Sequence, residues 1–324
     1  MRGEILKLLS GKKIDSTPAF SGLIHITTEG LASEAVSLHE VHHDAGKMAR
    51  AAASTFKLTG MPSATLPLDL CSPAEALGAE LIFYNDEEIQ FPQVRKLLFM
   101  STREAAAIVP SLGGRISVIC DAIRLTKKDI GEQAVISGMI PGPYTLMIYI
   151  CKAQNLFREM KNEPQMVVDA LSRLSSFLAD IGNVYLEAGA DFVTVHEMGG
   201  SPGFIGPGKF EQFVLPPLKE LHQKLRGRRV LSVCGKTDAA MHLLAQTGAD
   251  AISLDQMADL HVARSVLKDT LLFGNVDPVN VLWQGDEGSV AEAVQKAREA
   301  GVNAVWPGCD LVPQTALKNL SVLR

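Results

Sequence analysis

The chain has 324 residues, 47% of them hydrophobic and 21% charged, with a formal net charge of −5. That composition suits a folded protein with a sizeable core, and an acidic balance without a basic arm excludes a binder of nucleic acid or anionic membrane that works by neutralising phosphates. No apolar run reaches the ~18 residues of a membrane span, the charge-mixed opening "MRGEILKLLSGKKID" is unlike a signal peptide, and the cysteines Cys71, Cys120, Cys151, Cys234 and Cys309 are too sparse and odd in number for a disulfide framework.

A cytoplasmic location is the expectation. The first 55 or so residues read as helical and as a cap on the rest of the chain. Within them His39, His42 and His43 lie among Glu, Asp and Lys and read as surface or cap residues, while His25 falls in a loop of undecided role. "TFKLTGMPSATLPLD" (55–69) predicts a helix ending at Gly60 and a strand over 63–68. "RISVICD" (115–121) and "EQAVISG" (132–138) are further short apolar strand candidates. Pro164, a favoured first-turn residue, opens a predicted helix over 164–188. "YLEAGADFVTVHE", "LAQTGADAISLD" and "AREAGVNAVWPGC" then repeat one pattern, a helix, a glycine and an apolar strand. Gly189, Gly248 and Gly301 suit the left-handed residue just past a helix end, and strands apolar throughout suit a parallel sheet covered on both faces. Strands are predicted at 192–195, 229–234, 251–254, 271–276 and 304–307, and helices at 207–226, 237–247, 258–269 and 287–300. The Gly/Pro segment "GGSPGFIGPGKF" (199–210) reads equally as a lid or a long turn, and His222, His242 and His261 as exposed residues of outer helices. Alternating strands and helices without an early Gly-rich phosphate fingerprint favour one (β/α)8 barrel domain over 1–324 rather than an open doubly wound sheet.

In such a barrel the chemistry lies at the C-terminal ends of the strands. Asp69, the pair His196 and Glu197, Cys234, Asp255, Asn275 with Asp277, and Cys309 all fall there. A lone strand-end cysteine is usually a small hydrophobe. Two of them converging from different strands would suit zinc, which takes thiolate and imidazole tetrahedrally, with His196, Glu197 or Asp255 as third ligand.

"GGSPGFIGPGKFEQFVLPPLKEL", "VLSVCGKTD", "FGNVDPVNVL" and "PGCDLVPQTALKNL", together with "PLDLCSPAEALGAEL" and "GMIPGPYTLMIYI", resemble in order the uroporphyrinogen decarboxylase superfamily, a (β/α)8 barrel family, over nearly the whole chain. The decarboxylase branch has an N-terminal Arg-rich stretch that grips substrate carboxylates, and the matching "TPAFSGLIHITTEG" (17–30) has no arginine. "SVCGKTD", "PGCDL" and "HHDAGKMARAA" are more similar to the methylcobamide-dependent methyltransferase branch. That resemblance implies methyl transfer from a methylcobalamin carried by a corrinoid protein to a small-molecule acceptor, a coenzyme M-like thiol or tetrahydrofolate. It also implies zinc on Cys234 and Cys309, although the histidine of the family's His-x-Cys is Ser232 here. His196 is then the first choice as third ligand. Asp69, Tyr149 and Asp255 are expected to line the catalytic pocket, and His196, Glu197, Asn275 and Asp277 to serve cofactor binding. The rivals are uroporphyrinogen decarboxylase itself and a metal-free cobamide- or pterin-binding barrel. A homodimer is left open as the assembly.

Overall fold

Six parallel strands form the wall of the molecule: β1 (Ser63–Leu66), β4 (Val135–Pro141), β5 (Phe192–Glu197), β6 (Arg228–Val233), β7 (Ala251–Leu254) and β8 (Leu271–Phe273), hydrogen-bonded in that order. A small antiparallel pair, β2 (Leu81–Ile82) and β3 (Gln93–Val94), stands apart from them. These are the features of a computed structural model that describes residues 1–85 and 88–323.

Two further segments close the ring by single bridges. Phe273 pairs with Ala304 and Val276 with Pro307, and Val305 pairs in turn with Ala19. The Ser21 amide then donates to Ser63 Oγ at the start of β1 (2.9 Å). Eight staves thus surround one interior, the (β/α)8 barrel expected from the alternation of elements. Four rings from four staves, Phe20, Phe192, Phe273 and Trp306, meet inside it with centroids 5.1–6.3 Å apart. Residue 22 must be glycine for the entering chain to pass, because a Cβ there would collide with Thr194, Trp306 and Phe192.

The helices cover the outside. Pro164–Ala188 spans the predicted range and ends at Gly189 with φ 119°. Residues 207–226 become Pro207–Lys209, a π-turn at Phe210–Val214 and Leu215–Lys224.

Several expectations are corrected. Residues 115–121 are not a strand but enter the helix Ile116–Ile130, whose Ile116, Ile119, Cys120, Ile123, Thr126 and Ile130 are buried. A three-to-four-residue apolar spacing of that kind is helical, and a seven-residue window is too short to separate it from a strand. The missing stave is supplied around Ala19, so the first 55 residues are not simply a cap. Their helix Ala45–Thr59 packs on β1 and on Ile116–Ile130 as part of the barrel's outer layer. His42 and His222 are buried rather than exposed (1% each). The His222 ring is held at Nδ1 by the Thr247 carbonyl oxygen (2.8 Å). His42 lies against the Asp69 carboxylate, Nδ1 to Oδ2 3.7 Å. His242 and His261 are exposed, as read from the sequence.

Candidate metal centre at the barrel mouth

β5 delivers two consecutive polar residues at its C-terminal end, and the alternation of a strand sends them to opposite faces. His196 points into the barrel and Glu197 out of it. Across the mouth, β6 ends one residue before Cys234, and the last stave, 304–307, leads into Cys309. The three side chains converge. His196 Nε2 lies 3.2 Å from Cys234 Sγ and 4.0 Å from Cys309 Sγ, and the two sulfurs are 3.6 Å apart. Among the described residues this is the group of histidine, cysteine and carboxylate ligands close enough to share one ion.

The triangle is near the size that zinc would require, its S–S edge matching and its two N–S edges falling one short and one long. Bonds of about 2.3 Å to sulfur and about 2.05 Å to nitrogen in a tetrahedron place ligand atoms about 3.6–3.8 Å apart. The donor set, one imidazole and two thiols, is a zinc set, and three protein ligands leave a fourth position for a substrate atom. Ser232, where the resemblance puts the family's histidine, is the register partner of His196 on the neighbouring strand. The imidazole therefore reaches the two thiols from one strand over.

The electrostatics favour a charged cluster. Hydrogen bonding from Cys234 holds the Cys309 thiol far below its ordinary range against the opposing effect of burial, and His196 adds to the lowering. Cys234 is pushed the other way, by the Cys309 sulfur first and then by burial, and keeps the shared proton. Burial acts to lower the His196 value, but Asp310 and Cys309 together with Glu197 lift it to about 9.

Asp310 is the residue sequence reasoning missed, although it stands inside the quoted "PGCDL". Its Oδ1 accepts from the Ile24 amide (2.7 Å) and its Oδ2 lies 3.7 Å from His196 Nδ1. Metal-binding histidines commonly have a carboxylate behind the far ring nitrogen, which fixes tautomer and orientation. The signal was available in principle: a carboxylate directly after a ligand cysteine.

Asp310 also lines a pocket of about 370 Å3 at the mouth, with Asp69, Cys71, Tyr149 and Met198. Asp69 and Tyr149 thus meet at the expected place. Asp69, however, is committed: Oδ1 accepts from the amides of Cys71 (2.8 Å) and Ser72 (2.7 Å), and Oδ2 from Arg115 Nη1 (3.0 Å). It is a buried support for the pocket wall. Tyr149 keeps its phenol neutral, since burial raises its ionisation well above the usual range. Asp255 lies near the thiols, its charge being felt at Cys234, and its Oδ1 accepts from the Met257 amide (2.9 Å). Asn275 and Asp277 are not brought to the cluster. Both line a separate depression with Gln256 and His261, where Asn275 Nδ2 donates to the carbonyls of Asp255 and Ala258 and Asp277 caps the turn at Val279 and Asn280.

Glu197 is likewise structural. Fully buried, it accepts from Thr145 Oγ1 (2.5 Å), the Gly200 amide (2.9 Å) and the Tyr144 amide (3.2 Å). Thr145 Oγ1 in turn accepts from the amides of Met198 (2.9 Å) and Gly199 (3.0 Å). This network ties the Gly/Pro segment to the helix Pro143–Ile150, whose first turn carries the Tyr144 amide. Thr145→Val keeps the shape and removes the hydroxyl, so urea unfolding should show a loss of about 3 kcal/mol, the cost of leaving a buried carboxylate and backbone donors under-satisfied.

A barrel with this cluster of side chains at the C-terminal ends of its strands belongs to the class of (β/α)8 proteins that work at the barrel mouth. The chain belongs to the uroporphyrinogen decarboxylase (URO-D) family, which it matches over residues 2–324. It is 28% identical over 321 residues to the methylcobamide:CoM methyltransferase MtbA of Methanosarcina acetivorans, covering 98% of this chain and 94% of that protein. It is 25% identical over 327 residues to the methylcobamide:CoM methyltransferase MtaA of Methanosarcina barkeri, covering 100% and 96%. The solved structure of a methyltransferase from Methanosarcina mazei superposes with a TM-score of 0.94 at 24% identity, covering 99% of this chain and 96% of that one. That likeness establishes the fold.

Proposed function

We propose that this protein is a methyltransferase that moves a methyl group from a methylated corrinoid, carried by a partner corrinoid protein, to a thiol held at a zinc site made by His196, Cys234 and Cys309. The convergence of those three side chains at the barrel mouth is the observation that carries the reading, and the names of the two Methanosarcina relatives agree with it. Zinc, when bound, lowers the pKa of a coordinated thiol and keeps it nucleophilic at neutral pH. The chain's own residues do the rest. Asp310, 3.7 Å from His196 Nδ1, would place a carboxylate charge behind the ring, and the apolar residues beside Tyr149 and Met198 would limit water at the acceptor sulfur. The acceptor sulfur supplies the electron pair of the new C–S bond, and the Co–C bonding pair stays with the corrinoid. Cys71, at the pocket edge, is no rival nucleophile, because burial pushes its thiol up to about 12. Nor does the pocket favour a porphyrinogen with many carboxylates, which would need cations along its wall.

Metal analysis tests the reading. The wild type should hold about one zinc per chain, and Cys234→Ala and His196→Ala should each lose it. Protons on Cys234 and His196 compete with the metal, the latter up to pH about 9. Binding at neutral pH should therefore release about two protons, and apparent affinity should rise roughly 100-fold per pH unit from 6 to 8 and only about tenfold per unit above 9, where Cys234 alone still carries a proton. A chelator-competition titration measures that slope. A wild type that takes up no zinc under any of these conditions would end the proposal.

A further inference from the structure

The pocket beside the metal cluster has a wall of unusual charge. Its polar groups are the amides of Gln90 and Gln93, the Tyr149 phenol and the carboxyls of Asp69 and Asp310, and among the described residues no lysine, arginine or histidine lines it. The rest of the wall is apolar, Ile24, Leu70, Ile89, Phe91 and Met198 among it. Arg115 stands behind Asp69 and does not line the pocket, although its buried Nη2 has no partner among the described residues. Nη1 donates to Asp69 (3.0 Å) and Nε to Glu75 (2.8 Å). The buried His42 ring, also behind Asp69, is neutral, since burial brings its value down to about 4. An anionic group placed in this pocket would give up part of its water to the apolar wall and meet no cation among the described lining residues, and an unpaired anion so placed is disfavoured.

Resting on the function proposed above, we infer that the acceptor is a thiol with an uncharged, largely apolar tail, and not a sulfonate or carboxylate thiol. Both named relatives carry CoM, a thiol with an anionic end, in their names. This chain would differ from them in the charge of its acceptor. A volume of about 370 Å3 lies within the range of pockets that enclose small molecules.

The test uses the full chain with cobalt(II) in place of zinc, so that an acceptor thiolate joining the metal is seen directly as a change in the thiolate-to-cobalt charge-transfer band of the two cysteines. The probes are propane-1-thiol, 2-mercaptoethanol and 2-mercaptoethanesulfonate, with each dissociation constant corrected for the thiol's own ionisation. The two uncharged thiols should bind at least about tenfold more tightly than the sulfonate, since only the sulfonate must leave water unpaired. Gln93→Lys should raise sulfonate binding relative to that of 2-mercaptoethanol by up to about fivefold, the worth of a partly solvated ion pair. Equal or tighter binding of the sulfonate to the wild type would overturn the inference while leaving thiol activation in place. A band that none of the thiols perturbs would overturn thiol activation, and this inference with it.

Discussion

Cys309→Ser is expected to abolish methyl transfer from methylcobalamin and to strip the metal, while the chain stays folded. Serine fills nearly the same space, and Cys309 is only partly buried, so the metal-free unfolding free energy should change by less than about 1 kcal/mol, as for substitutions outside the core. The proposed zinc site, by contrast, loses one of three ligands. Removing a mere supporting hydrogen bond from a metal site costs about 10- to 100-fold in affinity or activity, and losing a thiolate ligand must cost more. Cys309 is also the sulfur that the cluster stabilises as thiolate, through Cys234 and His196. A variant that keeps more than about a tenth of wild-type transfer, measured beside its zinc content, would show that Cys309 is not part of the reacting centre. Asp310→Asn, which keeps the shape and weakens the carboxylate, should fall between wild type and Cys309→Ser in metal affinity.

Arg115→Met is expected to be the most destabilising single change near the pocket. The Asp69 and Arg115 side chains are 0% and 7% exposed. Breaking such a pair from one side leaves a buried charge without a partner, at a cost of about 3–5 kcal/mol. The pH dependence gives the sign. Burial alone would raise the Asp69 value, but Arg115, His42 and the Ser72 amide more than offset it and hold the carboxyl below its usual range. A depressed carboxylate stabilises the fold above its unfolded pKa of about 3.9 and loses that contribution as the pH falls through the folded value. The gap between wild type and Arg115→Met in urea unfolding should therefore be full at pH 7 and narrow below pH about 4. A gap that stays constant from pH 7 to 3 would mean that lost packing, and not the ion pair, accounts for the destabilisation.

Much of this architecture was legible in the sequence, and the parts that were not share a cause. The helix Pro164–Ala188 and the strand Ala251–Leu254 lie where Pro164, Gly189 and the apolar run place them, because caps and periodicity are local signals. The Ala19 stave was invisible: it is held by single bridges to Val305 and by a side-chain bond to Ser63, and a short irregular segment leaves no alternation to read. Buried histidines were misjudged for a similar reason. His42 and His222 sit on polar-looking stretches, and what buries them lies far along the chain, Asp69 in one case and Thr247 in the other. At the mouth, Cys234 and Cys309 could be singled out, and His196 named first among third ligands. Asn275 and Asp277 share the strand-end position yet serve backbone carbonyls and a helical turn. Strand-end position gives the height of a residue on the barrel, whereas only the register and the loop geometry give the direction of its side chain.

The closure of the wall by Ala19 against Val305 has a consequence for how the chain is made. A ribosome must add 286 further residues after position 19 before that stave meets its partner at 305. Until then the growing sheet has two unpaired margins, the kind of surface that recruits other strands. Contacts of such long sequence separation form late and slowly. The nascent protein is thus most exposed to aggregation just before its last stave emerges, and a folding helper acting in that interval would shield the gap between the Leu271–Phe273 strand and the segment around Ala19.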